Sequence, residues 1–196
     1  MSKVECKLNV NGLTKKIYIF EDKPLIFALR NDFGLTGTKL GCGLEQCGSC
    51  AVIIDGEKKL SCNLPAIDCQ NKEIVTIEGL GTDTSLNSVQ EAFKKFNAAQ
   101  CGYCTSGIII TISSLLEKKN KPTSEDILNA LDGHLCRCGS HSVVLKAIES
   151  LIENYRNKIM SNFDSGPSIK SYNKFQDWFD FSKTGSIRVY SGKVDI

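Results

Sequence analysis

Cys42, Cys47, Cys50 and Cys62 are spaced C-x4-C-x2-C…C, and further along Cys101 and Cys104 form a C-x-x-C and Cys136 and Cys138 a C-x-C. Thiolates at close spacing are soft ligands that suit zinc or an iron–sulfur centre. The first spacing is the one plant-type carriers use for a [2Fe–2S] cluster. Around it Thr38, Gly41, Gly43 and Gly48 supply little bulk, so the loop can turn its N–H groups inward toward sulfur. Iron–sulfur is therefore favoured over structural zinc for this set. The second set alone fits a buried zinc as well; the company of the first set favours a second [2Fe–2S] cluster. Cys104 and Cys138 are each read as lying immediately before a helix, whose N-terminus favours an anionic centre. Two clusters on a short chain point to electron transfer.

Cys6 and Cys69 are left over. Cys6 alternates with core positions of a strand and reads as a small buried hydrophobe. Cys69, in a polar stretch, has no assigned role. His134 and His141 flank the second set, but eight thiols already serve two clusters, so both read as packing or surface groups rather than ligands. No Ser–His–Asp arrangement, P-loop or dinucleotide fingerprint is visible, so the chain offers no substrate chemistry of its own.

The elements that must position these thiols follow from periodicity. Val4, Cys6, Leu8 and Val10 alternate with polar residues as a strand with one buried face. Asn11-Gly12 turns it, and 17–20 returns. Pro24 opens a short helix over 25–31. Residues 34–50 form a Gly-rich loop. A hairpin of 51–54 and 58–62 turns at Asp55-Gly56 and carries Cys62, and 73–78 is a last strand. After a linker near 80, four helices are expected. The first holds Val89, Ala92, Phe93 and Phe96. The second covers 105–117 with Ile108, Ile112 and Leu115 inward, and ends before Asn120-Lys121-Pro122. The third contains Ile127, Leu128 and Leu131. The fourth runs over 142–157 with Val144, Ala147, Ile148, Leu151 and Tyr155 inward. The class is α+β: a β-grasp, plant-type ferredoxin-like domain over 1–79, then a four-helix bundle over 80–159. Residues 160–196 form a C-terminal extension in which Tyr172, Phe175, Trp178, Phe179 and Phe181 cluster among charged residues. It reads as a tail that docks on a partner or covers its own chain.

Length and composition are compatible. A chain of 196 residues, 41% hydrophobic, can bury one large or two small cores. Its formal net charge of +2 favours neither nucleic acid nor a membrane surface. No apolar run approaches the roughly 18 residues of a transmembrane helix, and the N-terminus has no signal-peptide core. A cytoplasmic protein is expected, with export in folded form on a partner's signal as the alternative.

The chain resembles the small iron–sulfur subunit of the molybdenum hydroxylase (xanthine oxidase) family. The anchors are Gly37-Thr38-Lys39-Leu40-Gly41-Cys42-Gly43, Cys47-Gly48-Ser49-Cys50, Gln100-Cys101-Gly102-Tyr103-Cys104 and Leu135-Cys136-Arg137-Cys138. The resemblance covers about residues 3–157. It implies one [2Fe–2S] cluster in each of two domains and a large partner subunit carrying molybdopterin. It also implies that Gln100 contacts that cofactor and that Cys138 approaches the pterin amino group. Many members have Gly where Glu45 stands, which implies a differently bent first loop here. Ser106, where many have Pro, and Gly139-Ser140-His141 look like the branch containing isoquinoline oxidoreductase and nicotinate dehydrogenase. Some of that branch pass electrons to a cytochrome subunit instead of a flavin subunit.

The expectation is an electron-transfer subunit of a molybdenum-dependent oxidoreductase. Electrons would pass from the molybdopterin site through two [2Fe–2S] clusters to FAD or haem on another partner, during hydroxylation of an N-heterocycle or aldehyde. The alternative is a free-standing two-cluster ferredoxin.

Overall fold

The computed structural model describes residues 2–82, 84–119 and 122–152, together with two short strands at 179–181 and 187–189. Residues 1–152 form one compact unit and 153–196 a second.

In the first unit, strands β1 (Val4–Val10) and β2 (Leu13–Ile19) pair antiparallel around Asn11-Gly12. Both turn residues take positive φ, 51° and 77°, the left-handed geometry a two-residue hairpin requires. The return strand is longer than its apolar residues announce: Leu13 through Lys16 are exposed and polar-rich, so only Ile17 and Ile19 carry the burial signal. A helical turn α1 (Leu25–Phe27) continues as a wider turn over Ala28–Asp32, where a helix is expected. Strands β3 (Ala51–Ile54) and β4 (Glu57–Leu60) form the second hairpin, on Asp55-Gly56 with φ of 50° and 78°. Strand β5 (Glu73–Val75) is shorter than expected, because Ile77–Gly79 winds into a 3-10 turn.

The sheet order is β2-β1-β5-β3-β4, with β1 parallel to β5 and the other pairs antiparallel. One core lies under it, made of Cys6, Leu8, Val10, Leu25, Leu29, Val52 and Ile74. Cys6 is the buried hydrophobe the alternation implies, its Sγ 3.7 Å from the Ala66 carbonyl. Cys69 belongs to the same core, fully buried at the end of a 3-10 turn, Ala66–Cys69. Its polar neighbours in sequence conceal that.

Four helices follow: α2 (Ser88–Lys95), α3 (Thr105–Lys118), α4 (Ser124–Leu131) and α5 (His141–Glu149). Asn87 and Thr123 start α2 and α4 with reciprocal capping boxes to Gln90 and Asp126. α2 packs on α3 and α5, and α3 on α4. The last helix stops at Glu149, with Ser150 as its C-cap, where a helix to 157 is expected, so Leu151 lies past its end; residues from 153, with Tyr155, lie outside the described residues.

α3 is buried all round from Ser106 to Ser114, as a helix covered on every side must be. Ile110 packs with Ala51 and Ile53 of the sheet. The sequence pattern shows Ile108, Ile112 and Leu115 as a core face, of which Leu115 is half-buried; the second face is a row of small residues at i, i+4 and i+7, Gly107, Thr111 and Ser114. Ser114 Oγ donates to the Gly56 carbonyl at 3.2 Å.

In the second unit, β6 (Phe179–Phe181) and β7 (Ile187–Val189) pair antiparallel. Of the aromatic cluster, Phe179 and Phe181 fall on β6; Tyr172, Phe175 and Trp178 lie outside the described residues.

No described helix is long and apolar enough to cross a membrane.

Candidate metal centres

Arg30 fastens the entry to the first Cys loop, donating through Nη1 to the carbonyls of Thr36 and Thr38 at 2.7 and 2.9 Å. The Lys39 N–H donates to the Ser49 carbonyl at 3.3 Å and closes the loop's neck. Inside it the backbone turns its N–H groups onto sulfur. Cys42 N–H donates to Cys47 Sγ at 3.2 Å, and the N–H groups of Leu44 and Gln46 each reach Cys42 Sγ at 3.3 Å. A Cβ on Gly41 would stand 2.5 Å from Cys47 Sγ, so that glycine makes room for the sulfur. Glu45 has φ of 59°, the left-handed value a glycine would take freely. Glu45 thus holds this left-handed turn with strain.

The thiols associate in pairs. Cys42 lies beside Cys47, and Cys50 beside Cys62 at the end of the β3–β4 hairpin. Cys101 lies beside Cys138, and Cys104 beside Cys136. Burial opposes ionisation of Cys42, but the N–H groups of Leu44 and Gln46 and the adjoining Cys47 outweigh it and bring that thiol down to about 7. Burial pushes Cys50 up to about 11, with Cys62 adding to it. In the second set, burial pushes Cys104 up to about 12, reinforced by Cys136. Cys136 is itself brought down to about 7: burial opposes this, but the hydroxyl and N–H of Ser140 and the N–H of Cys138 prevail. The Tyr103 N–H, followed by the Cys138 thiol, lowers Cys101. Two thiols this close do not both ionise unless a cation lies between them. A metal is that cation.

Which metal the geometry suits follows from the same pairing. Among the described residues no three Cys, His, Asp or Glu side chains converge where a single ion could sit. Tetrahedral zinc needs four donors around one point. Pairs of thiols set apart are what a dinuclear cluster needs, two for each iron, and the N–H groups aimed at sulfur suit its anionic core.

Cys104 immediately precedes α3, as expected. Cys138 does not immediately precede α5: Gly139 and Ser140 intervene, and Ser140 is the residue at the helix start. Ser140 Oγ lies 3.2 Å from Cys136 Sγ, so the helix start serves Cys136 instead. Within the second set one pair is outward and one inward. Gln100 and Cys101 are exposed and Cys138 half-buried, whereas Cys104 and Cys136 are buried.

The two sets meet at a seam. The Leu135 N–H donates to the Cys47 carbonyl at 3.2 Å, the only main-chain hydrogen bond between the first Cys loop and the second set among the described residues. Tyr103 OH donates to the Leu40 carbonyl. Gly107 of α3 sits so close that a Cβ there would be 2.1 Å from the Gly48 oxygen. His134 is buried, its Nε2 2.9 Å from Thr111 Oγ1 and its ring against Gly48. Burial, with a smaller push from Lys58, lowers it to about 4, so the ring is neutral at pH 7. His141 is half-buried on α5. Sequence reasoning leaves His134 without a task and does not see Gly107 at all; the i, i+4, i+7 row of small residues on α3 is the signal that marks the seam.

This fold and these thiols define a protein built to carry paired metal centres. Residues 8–74 match the family described as a 2Fe-2S iron-sulfur cluster binding domain, and residues 76–149 the family described as a [2Fe-2S] binding domain. The chain is 38% identical over 157 residues to the nicotinate dehydrogenase small FeS subunit of Eubacterium barkeri, covering 80% of this chain and 100% of that one. It is 42% identical over 128 residues to the alpha subunit of isoquinoline 1-oxidoreductase from Brevundimonas diminuta, covering 65% and 84%. Among solved structures it is similar to a chain of quinoline 2-oxidoreductase from Pseudomonas putida 86, with TM-score 0.71 and 35% identity, covering 76% and 91%. The chain belongs to the small iron–sulfur subunits of the molybdenum hydroxylase family. Its function is electron transfer within an oxidoreductase of that kind, not that of a free-standing ferredoxin.

Proposed function

We propose that Cys42, Cys47, Cys50 and Cys62 ligate one [2Fe–2S] cluster and Cys101, Cys104, Cys136 and Cys138 the other, with each close thiol pair holding one iron. When bound, each cluster takes up and releases one electron at a time. The residues of this chain hold the clusters, aim N–H groups at their sulfur ligands and join the two sites. The division falls near residue 79/80, between a β-grasp domain and a four-helix bundle.

The exposed end of the second set, Gln100 with Cys101 and Cys138, faces a molybdopterin-bearing large subunit. Gln100 contacts that cofactor and Cys138 approaches its pterin. From the inward pair, the main chain of Cys136 and Leu135 runs through the 3.2 Å hydrogen bond to Cys47 of the first set. Cys42, exposed at the far side of that pair, faces another partner carrying FAD or haem. The substrate is an N-heteroaromatic compound, supported by the nicotinate, isoquinoline and quinoline enzymes to which the chain is similar. The complex is cytoplasmic, a compartment in which thiols stay reduced and free to take up metal, and the tail over 160–196 docks on a partner.

The observation that carries this reading is the pairing of thiols within each set, with the Leu135–Cys47 main-chain hydrogen bond bridging the two sets. The test is metal analysis and EPR of the reduced chain, with Cys42→Ser and Cys136→Ser alongside. About four iron atoms per chain and two distinct [2Fe–2S] signals are expected. Cys42→Ser should remove one signal and Cys136→Ser the other. Stoichiometric zinc without iron, or one signal lost in both variants, would overturn the assignment.

A further inference from the structure

His134 is the one imidazole buried at the seam, 7% exposed. Three contacts fix it. Its backbone N–H donates to the Leu131 carbonyl at 2.9 Å, tying it to the end of α4. Its Nε2 lies 2.9 Å from Thr111 Oγ1, on the small-residue face of α3. Its ring lies over Gly48, so close that a Cβ there would come within 2.2 Å of Nδ1. Gly48 lies between Cys47 and Cys50, and its φ of 71° turns the loop toward the ring. The next residue after His134 is Leu135, whose N–H makes the bridge to Cys47.

Filling space does not account for an imidazole here. Nδ1 is buried without a hydrogen-bond partner among the described residues. A buried polar atom in that state costs stability, and an apolar ring of equal size would avoid the cost. What the imidazole adds over such a ring is the hydrogen bond to Thr111. That bond pins the side chain to α3 while the ring presses on the first Cys loop.

We propose that His134 is a positioning residue for electron passage between the two cluster sites, holding the Leu135–Cys47 bridge in register; this rests on the assignment of the two thiol sets proposed above. α3 anchors the ring, the ring seats against Gly48, and the adjoining Leu135 N–H is thereby fixed opposite the Cys47 carbonyl. Neither thiol set needs His134 as a ligand, so its removal leaves both sets of donors intact. It loosens only the joint between them.

The test uses the full chain in its assembled complex, with His134→Ala, His134→Gln and His134→Phe. Iron content and the two EPR signals are recorded first. Then an electron is injected by pulse radiolysis and its redistribution between the two clusters is timed. The spin–spin splitting between the clusters is measured after full reduction with dithionite. His134→Gln, whose amide reaches where Nε2 lies, keeps the Thr111 bond and equilibrates at the wild-type rate. His134→Phe fills the space without that bond; it slows equilibration on the order of fivefold, the population shift expected from one lost hydrogen bond. His134→Ala slows it further and alters the splitting. Should the Ala variant fail to load iron, the comparison of Gln with Phe decides. Wild-type rate and splitting in both Gln and Phe, whatever their melting temperatures, would overturn the proposal. A wild-type chain without two reducible clusters would instead overturn the ligand assignment, and would do so before any variant is made.

Discussion

Gly107→Ala sets two known effects against each other at the seam. Alanine is favoured over glycine inside a helix by about 1 kcal/mol, so on helix propensity alone the change stabilises α3. Against this stands the 2.1 Å separation between the new Cβ and the Gly48 oxygen, with the Ser49 Cα 3.1 Å away. Both neighbours are backbone atoms, so no side chain can swing aside. The Gly48 carbonyl is further restrained because it accepts the Ala51 N–H at 3.1 Å. Overpacking a well-filled site costs about 1–3 kcal/mol, and a rigid neighbour puts this one at the upper end. The net expectation is a loss of about 1–2 kcal/mol after the propensity gain. For a chain of this size that lowers Tm by roughly 2–8 °C. The helix is also pushed away from the first Cys loop, which stretches the Thr111–His134 and Ser114–Gly56 hydrogen bonds of 2.9 and 3.2 Å. Calorimetry at a fixed scan rate, with iron content measured alongside, is the assay. A variant as stable as the wild type or more so would show that propensity wins and that α3 does not press on the Gly48 loop.

At Glu45 the opposite sign is expected. Glu45→Gly relieves a left-handed conformation that costs a non-glycine residue roughly 1–2 kcal/mol, part of which is returned through the more flexible unfolded chain. The same calorimetry should show a small rise in Tm with both clusters retained. Of the two helix caps, Asn87→Ala should cost more than Thr123→Ala. Each loses a cap bond worth about 1 kcal/mol. Asn87 additionally donates through Nδ2 to the buried Ser113 Oγ at 3.0 Å, and losing that link adds about 1 kcal/mol more; denaturant unfolding gives the order. Truncation after Lys158 should leave both clusters in place yet weaken assembly with the partner chains, as read by gel filtration of the mixture. Full assembly with unchanged stability would leave the tail without that role.

What the sequence disclosed and what it hid divide along a physical line. Local rules were readable: alternation along Val4–Val10 and two-residue turns at Asn11-Gly12 and Asp55-Gly56 depend on residues a few positions apart. The cysteines were readable for the same reason, since C-x4-C-x2-C, C-x-x-C and C-x-C are local spacings. Their pairing was not. Cys50 with Cys62, Cys101 with Cys138 and Cys104 with Cys136 are relations set by how loops fold back, and no spacing states them. The role of Ser140 at the start of α5 depends likewise on one turn, in which Gly139 at φ 71° carries the chain past Cys138 before the helix begins. α3 was half-readable. Ile108, Ile112 and Leu115 declare a core face, but glycine, threonine and serine carry no hydrophobic signal, so nothing marks Gly107, Thr111 and Ser114 as a second buried face. Backbone lies against Gly107 and Ser114, and the His134 ring against Thr111. Close approach of α3 to the Gly48 loop brings His134 over the glycine and Leu135 to Cys47. The seam between the thiol sets is therefore shaped by residues chosen for what they leave out, and these are the residues that periodicity cannot reveal.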